Sequence, residues 1–213
     1  MEIHFALNDK HYNMFNAYCK PSIPHGFTIV EHKLDIKSSG EYMKNGYIEI
    51  IREKMRLIIN SLNSLDSPDP IIWADADIVF SGKNKNNFIK LILLELEKSN
   101  KSILYQKEHL DSNIINGGFF IAKKNDFTKK LYSYILQSCL SNDDKHDQDY
   151  INEFIVKNCD EAKEHIGTLP RVYASASNRG FQILTKCQLF HCNCTATVND
   201  KIKMMKRVSA KIS

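Results

Sequence analysis

Glycine and proline are scarce in this chain, at 8 and 5 of its 213 residues. That scarcity excludes collagen-like and Pro/Gly-rich low-complexity proteins. No window approaches the roughly 18 uninterrupted apolar residues that predict a transmembrane helix. The start of the chain lacks the basic and then apolar stretches of a signal peptide. The net charge is only +4, from 29 basic and 25 acidic residues, an excess that suits an anionic ligand without requiring nucleic acid.

The cysteines lack the paired spacing of a disulfide framework or a structural zinc site. Six occur, four of them isolated, which is typical of reduced thiols in a cytosolic setting. We therefore expect a soluble, cytoplasmic protein without a membrane anchor. With 43% hydrophobic and 25% charged residues, a chain of this length is predicted to fold as one domain with a core large enough to carry a cleft.

Short apolar runs alternate with segments of helical periodicity, which predicts an α/β fold. The predicted strands are 3–7, 27–31, 71–74, 102–106, 114–122 and 189–191. The predicted helices are one ending at residue 18, and 48–65, 87–98, 126–140, 148–156 and 200–208. We find no internal repeat and no low-complexity linker.

Two carboxylates follow the most apolar of these strands, in Ile-Ile-Trp-Ala-Asp-Ala-Asp at 71–77. Ligands of open α/β sheets bind beyond the carboxyl ends of the strands. Alternation along an extended chain would send Asp75 and Asp77 to the same side. Carboxylates placed together are costly unless a cation neutralises them, and Mg²⁺ or Mn²⁺ bridges carboxylates to substrate phosphates. The pattern predicts a cation and phosphate site, although a pair that only caps a turn remains an alternative.

Three further segments accompany the aspartates. They are Ile-Asn-Gly-Gly-Phe-Phe at 115–120, Asp-Gln-Asp at 147–149 and Phe-His at 190–191. With the Asp-Ala-Asp run, this ordered set resembles the GT-A type glycosyltransferases, in particular nucleotide-diphospho-sugar transferases related to the galactosyl- and xylosyltransferase families. The resemblance extends from Ala6 to about Lys201. The chain is also similar to the amino-terminal domain of chlorovirus glycosyltransferases, which implies a viral protein.

The resemblance implies a Rossmann-like GT-A fold with a mixed, mostly parallel central sheet flanked by helices. Residues from 1 to about 80 would form the nucleotide-binding part, and residues from about 81 to 213 the sugar and acceptor part. Asp77 would bind the metal directly, Asp75 would contact the metal or the ribose, and His191 would complete the metal site. The cation would be Mn²⁺ or Mg²⁺, with the imidazole favouring Mn²⁺.

The resemblance also assigns residues to the donor. Lys54 would neutralise phosphate or contact the nucleotide, a part that Arg52 or Arg56 could play instead. The nucleoside would be held by Ala6, Asn8 and Asp9. Asn116 and Gly117 would line the donor-sugar pocket, while Asp147 and Gln148 would lie beside the sugar ring and its anomeric carbon.

One segment departs from the pattern. In many relatives a glycine and a lysine closely follow the histidine and hold the diphosphate, whereas here Cys-Asn-Cys-Thr-Ala-Thr occupies 192–197. The hydroxyl of Thr195 or the amine of Lys201 could take over these contacts. The implied reaction is transfer of a hexose from a UDP-sugar to a hydroxyl of a glycan or other acceptor, with retention.

Structural explanations remain open for each of these segments. The glycine pair could form a β-bulge, the aspartates at 147–149 could cap a helix, and His191 could be a hydrogen-bonded core histidine. A zinc site could be built from Cys187, His191, Cys192 and Cys194, although its spacing is not that of structural sites.

Two other functions also fit parts of the sequence. The run Asp-Ala-Asp-Ile-Val-Phe matches the first motif of haloacid-dehalogenase-type phosphatases, with Asp143 and Asp144 as their later acidic pair. A module that binds sugar nucleotides without catalysis is the other alternative. The basic segment at 201–207 is interpreted as a solvated amphipathic helix rather than a nucleic-acid or membrane site. A chain end so soon after a helical pattern is compatible with further domains in a longer protein.

Overall fold

Nine β-strands make up the sheets of the computed structural model, which describes residues 1–38, 41, 43–65, 67–82, 86–109, 111, 113–178 and 186–212. The strands are β1 (Glu2–Leu7), β2 (Thr28–Lys33), β3 (Ile71–Ala74), β4 (Ile78–Phe80), β5 (Ile103–Lys107), β6 (Ile115–Ala122), β7 (Ile166–Thr168), β8 (Tyr173–Ser175) and β9 (Leu189–His191). The six strands predicted from the sequence are all present, each within two residues of its expected ends.

Six of these strands form the central sheet, in the order β2-β1-β3-β6-β5-β7. β1 pairs in parallel with both β2 and β3, and β5 pairs in parallel with β7. β6 runs antiparallel to its neighbours β3 and β5. Five strands therefore share one direction, which confirms the predicted mixed, mostly parallel sheet.

Seven α-helices accompany the sheets in the described residues. They are α1 (Asp9–Met14), α2 (Tyr47–Asn63), α3 (Phe88–Ser99), α4 (Asp126–Ser141), α5 (Asp147–Lys157), α6 (Cys159–His165) and α7 (Val198–Ile212). The helix expected to end at residue 18 is α-helical only to Met14, after which Phe15–Cys19 forms a π-helical turn. The short elements β4, β7, β8 and α6 were not predicted from the sequence.

The central sheet is covered on both faces. In β3, Ile72 and Ala74 face a core that also receives residues of α1, α3 and α7. Ile71 and Trp73 face a second core, to which α2, α4 and α5 contribute. A strand buried on both faces has no polar alternation, which explains why 71–74 is uniformly apolar.

A second, three-stranded sheet has the order β4-β9-β8. β4 begins one residue after Asp77, and its first residue, Ile78, pairs with His191 in β9. On the other side of β9, Ser175 of β8 is in register with His191. This small sheet therefore brings the histidine next to the turn that follows β3.

The basic helix α7 packs on the core through Met205, Val208 and Ile212. Lys203 and Lys206 on its other side are exposed, so the predicted amphipathic helix is confirmed. None of the helices in the described part of the chain has both the length and the apolar character needed to cross a bilayer.

A stack of three rings lies at the junction of β1, β2 and β3. The ring of His4, only 4% exposed, stacks on Trp73 and on His32 with centroid distances of 5.8 and 5.4 Å. Burial, together with the nearby His32 and Lys124, lowers the pKa of His4 from 6.5 to about 4. His4 therefore stays neutral in the folded protein at pH values at which it is already protonated in the unfolded chain.

This difference predicts acid sensitivity. Because the folded-state pKa of His4 is depressed, its contribution destabilises the fold progressively as the pH falls from about 6.5 to about 4, by roughly 2–3 kcal/mol. A His4→Phe variant, which retains a ring for the stack, should lose less unfolding free energy than wild type between pH 7 and pH 4.5. Urea unfolding at both pH values measures this, with His25→Gln, an exposed histidine, as the control. Equal losses in wild type and His4→Phe would contradict the prediction.

Candidate functional site

The two aspartates lie in a tight turn that joins β3 to β4. The strand ends at Ala74, and the amide of Ile78 donates to the carbonyl oxygen of Asp75 at 3.3 Å. The expected reason for their convergence, alternation along an extended strand, is therefore wrong. The turn itself brings both carboxylates to one side, with Asp77 buried and Asp75 partly exposed.

His191 meets both carboxylates. Its Nε2 lies 3.1 Å from Oδ1 of Asp77 and 3.8 Å from Oδ2 of Asp75. Potential ligand atoms of the three residues all lie within 4.8 Å of one another. In the described part of the chain, this is the only group of three or more acidic, histidine or cysteine side chains close enough to share an ion. The alternative zinc site with Cys187, Cys192 and Cys194 is therefore not assembled.

Lys201 of α7 reaches the same turn. Its Nζ donates to Oδ2 of Asp77 at 2.5 Å. Burial alone would raise the pKa of Asp77, but Lys201 and His191 hold it well below its ordinary value. For His191 the directions are reversed. Burial by itself would lower its pKa, but the carboxylates of Asp77 and Asp75 raise the pKa above its ordinary value. Asp77 is thus an anion with the amine of Lys201 on one side and the imidazole of His191 on the other.

Lys54 of α2 connects Asp75 to a third carboxylate. Its buried amine donates to Asp75 and to Asp147, at 3.0 Å in both cases. Burial disfavours the charged forms of both Lys54 and Asp147. The attraction between the two charges outweighs it, so the pKa of Lys54 is raised and that of Asp147 is lowered. The two arginines considered as substitutes lie elsewhere, since Arg52 pairs with Asp143 and Arg56 with Glu53.

Asp147 and Gln148 form the first turn of α5. The backbone amide of Gln148 donates to Oδ1 of Asp147 at 3.0 Å, and to Nδ1 of His146 at 3.2 Å. Asp149 accepts from the amide of His146, so the expected cap is formed by His146 and Asp149. Asp147 remains directed at Lys54, and Gln148 accepts from the amide of Gly117 at 3.3 Å.

The glycine pair lies where β6 is irregular, and one of the two glycines is closely surrounded by site residues. β5 and β6 slip in register, with Tyr105 opposite Phe120 and Gln106 opposite Asn116, so the strand is irregular at 117–119. A Cβ on Gly118 would lie 2.2 Å from Cε1 of His191 and 2.7 Å from Oδ2 of Asp75. The missing side chain of Gly118 thus makes room for the histidine and the aspartate rather than for a ligand.

Asn116 lines the cleft, but its amide is engaged within the protein. Its Oδ1 accepts from the amide of Gly118 at 2.9 Å and lies 3.1 Å from Nδ1 of His191. Its Nδ2 donates to Glu108. Gly117, the other residue assigned to the donor sugar, lines the cleft, and a Cβ on it would lie 3.5 Å from Oδ2 of Asp147.

All these groups line one cleft of about 440 Å³. Ala6 contributes to its wall, together with residues that the sequence did not single out. These include His11, Met14, Glu41, Tyr47, Glu108, His146 and Asn193. Asn8 and Asp9 do not line it, because Asn8 caps α1 by accepting from the amide of His11 and Asp9 is exposed in the first turn.

The segment after His191 closes one side of the cleft. Cys194, Thr195, Ala196, Thr197 and Lys201 all line it. The hydroxyl oxygen of Thr195 is buried, and the described residues offer it no hydrogen-bond partner. The two substitutes considered for the missing glycine and lysine, Thr195 and Lys201, therefore both line the cleft, and Lys201 contacts Asp77.

Residues 13–205 match the family described as nucleotide-diphospho-sugar transferase. A glycosyltransferase involved in the glycosylation of the major capsid of PBCV-1 has a similar structure, with a TM-score of 0.66 at 13% identity over 97% of this chain and 100% of that one.

Two other solved structures share the fold. The galactosyltransferase LgtC, in complex with donor and acceptor sugar analogs, gives a TM-score of 0.58 at 12% identity, over 100% of this chain and 96% of its own. Mouse xyloside xylosyltransferase 1 gives 0.52 at 10% identity, over 92% and 99%. No curated protein matches the sequence significantly. The expected GT-A fold is thereby confirmed.

The contact of Gly118 with His191 predicts unequal tolerance of the two glycines. Gly118→Ala should lower the free energy of unfolding by roughly 1–3 kcal/mol, because the histidine is buried and cannot give way freely. Gly117→Ala, whose Cβ would meet its nearest neighbour at 3.4 Å, is the matched control and should change stability by no more than about 1 kcal/mol. Urea unfolding measures both. A Gly118→Ala protein as stable as Gly117→Ala would contradict the proposed packing.

Proposed function

Because the chain belongs to the nucleotide-diphospho-sugar transferase family and is a glycosyltransferase, we propose that it transfers a hexose from a UDP-sugar to a hydroxyl of a glycan or other acceptor. The observation that carries this proposal is the meeting of Asp75, Asp77 and His191 in a cleft that also holds the ion pair of Lys54 with Asp147. Asp75, Asp77 and His191 offer ligands for a cation, and Asp147, on the other side of Lys54, offers a carboxylate for sugar hydroxyls.

The donor set fits a divalent cation. Carboxylates suit Mg²⁺ and Mn²⁺, and the imidazole favours Mn²⁺. Asp77 and His191 would bind it directly, with Asp75 as the weaker contributor because Lys54 already engages its Oδ1. When bound, the cation supplies neutralisation of the charge that develops on the departing diphosphate.

Lys201 and Thr195 are proposed to address the diphosphate. Lys201 is the cationic side chain beside Asp77, and Thr195, which lines the same cleft, has a buried hydroxyl to which the described residues offer no partner. Charge-assisted hydrogen bonds of this kind are the usual means of holding phosphates. Lys201 would exchange its contact with Asp77 for one with phosphate oxygen once a cation neutralises the aspartate.

Asp147, Gln148 and Gly117 are proposed to form the sugar end. Because Lys54 keeps Asp147 ionised, this carboxylate can only accept hydrogen bonds, which suits hydroxyls of the sugar ring. Its part is positioning, and Gln148, which cannot ionise, would stabilise charge near the anomeric carbon. Asn116 would act through His191 and Gly118 rather than by its own contact with the sugar.

In the proposed reaction the bond between the anomeric carbon and the diphosphate oxygen breaks, and a bond to the acceptor oxygen forms. The acceptor hydroxyl loses its proton to the departing diphosphate or to solvent. We propose retention of configuration, following the resemblance to retaining enzymes, and NMR of the product's anomeric proton tests it. Residues up to about 80 supply the proposed nucleotide wall, and the later residues the sugar and acceptor wall.

The choice of donor can be tested with thermal unfolding. UDP or a UDP-hexose with Mn²⁺ should raise the unfolding temperature, because a ligand that binds only the folded state stabilises it. The panel should include GDP- and CDP-sugars, each with and without Mn²⁺. A shift with GDP-sugars alone would contradict the proposed UDP donor, and shifts of equal size without Mn²⁺ would contradict the cation.

The cation assignment predicts the behaviour of Asp77→Asn. This variant keeps the shape of the side chain and removes its charge, so the protein should fold, while Mn²⁺-dependent release of UDP from the donor falls by at least roughly 100-fold. Asp143→Asn, in an exposed ion pair outside the cleft, is the control and should retain activity. Full turnover by Asp77→Asn would refute the assignment, and loss of a phosphatase activity in Asp143→Asn would favour the haloacid-dehalogenase alternative.

Asp147→Asn separates the sugar end from the nucleotide end. Turnover should fall roughly 10–100-fold because the sugar is no longer held by an anion, whereas the affinity for UDP, which lacks the sugar, should stay within about threefold. Calorimetric titration with UDP and Mn²⁺, beside donor hydrolysis assays, provides both values. A large loss of UDP affinity with normal turnover would contradict the proposed contact of Asp147 with the sugar.

A further inference from the structure

His191 has an acceptor against each ring nitrogen. Nε2 faces Oδ1 of Asp77 at 3.1 Å. On the opposite edge, Nδ1 lies 3.0 Å from Oε1 of Gln106 and 3.1 Å from Oδ1 of Asn116. Gln106 is fully buried in β5 and has no place in the roles proposed above.

The orientation of the Gln106 amide follows from its other contacts. Its Nε2 donates to the backbone carbonyl oxygens of Tyr173 and Ala174, at 3.0 and 2.7 Å. Carbonyl oxygens only accept, so the amide group must face β8 with its nitrogen and His191 with its oxygen. An amide oxygen cannot donate, and Nδ1 of His191 must therefore carry the hydrogen.

Asn116 supports the same assignment. Its Oδ1 accepts from the amide of Gly118, and its Nδ2 donates to the carboxylate of Glu108, so its oxygen also faces Nδ1 of His191. The register slip between β5 and β6 sets Gln106 opposite Asn116. Two acceptors from neighbouring strands thus share one N–H.

We infer that Gln106 is a positioning residue that keeps a proton on Nδ1 of His191, so that Nε2, which faces Asp77, is the nitrogen that addresses a cation. This inference rests on the proposed function, because it concerns the cation site. A histidine that binds metal generally donates its other ring N–H to a neighbouring acceptor, which fixes both tautomer and ring orientation. Gln106 also ties the central sheet to β8, and β8 is in register with His191 through Ser175.

The test compares Gln106→Met with Tyr105→Phe. Methionine matches glutamine in length but offers no acceptor oxygen to Nδ1. Tyr105→Phe removes a buried hydrogen bond to Tyr132 from the adjacent position of β5, so it controls for general loss of stability.

The first measurement is a long-range ¹H–¹⁵N spectrum of metal-free, ¹⁵N-histidine-labelled protein, with His191→Asn to assign the signal. Wild type and Tyr105→Phe should show a slowly exchanging N–H at Nδ1 of His191, and Gln106→Met should shift it or exchange it faster. An Nδ1 without a proton in wild type overturns the inference whether or not the protein binds metal.

The second measurement is Mn²⁺ affinity, from the electron paramagnetic resonance signal of free Mn²⁺. Gln106→Met should bind roughly 10–100-fold more weakly than wild type, and Tyr105→Phe within about threefold of it. Equal affinities of Gln106→Met and Tyr105→Phe overturn the role of Gln106. Wild type that has the Nδ1 proton but no Mn²⁺ affinity overturns instead the cation site of the proposed function.

Discussion

The cleft brings together the carboxylates of Asp75, Asp77 and Asp147, and buried carboxylates are tolerated only when cationic groups neutralise them. Lys54 does so for Asp75 and Asp147, while Lys201 does so for Asp77, which also contacts the imidazole of His191. These partners of the carboxylates come from α2, α7 and β9, which are far apart in the sequence. The packing of these elements on the central sheet is therefore what makes the charged site possible.

The same charges organise the proposed chemistry. Asp77 contacts Lys201 and His191, and a bound cation would take over the contact that Lys201 makes with it. Asp147 is held by Lys54, which nothing in the proposed reaction displaces. The cationic partner of Asp77 is thus expected to change when the donor binds, whereas the ion pair of Asp147 with Lys54 is expected to persist. Such a division suits a transferase, in which the diphosphate must leave and the sugar must stay oriented.

Much of the fold could be predicted from the sequence, because long strands and helices carry periodicity. The uniformly apolar run 71–74 located the central strand and the aspartates after it. Of the small sheet that carries His191, only β9 was predicted as a strand; its neighbours β4 and β8, of three residues each, carry no clear pattern, so the sheet itself could not be predicted. The turn at Asp75 and Asp77 was mistaken for extended chain because the apolar run before it does not show that the strand ends at Ala74.

Within the site, local motifs indicated which residue types belong to it, but not the contacts between them. Gln106 is an ordinary polar residue in a strand, and its importance depends on a register slip with β6 that no sequence pattern records. Lys201 was considered only as a substitute, because its distance from Asp77 depends on how α7 packs. Asn116 was assigned to the sugar from its motif, whereas its amide is committed to Gly118, Glu108 and His191.

The most direct test of the account is anomalous scattering at the manganese edge from crystals grown with Mn²⁺ and UDP. The account predicts one strong peak within coordination distance of the Asp77 carboxylate and Nε2 of His191, with the amine of Lys201 moved from Asp77 to phosphate oxygen. A peak elsewhere, or UDP bound in the cleft with no peak at these two residues, would contradict it.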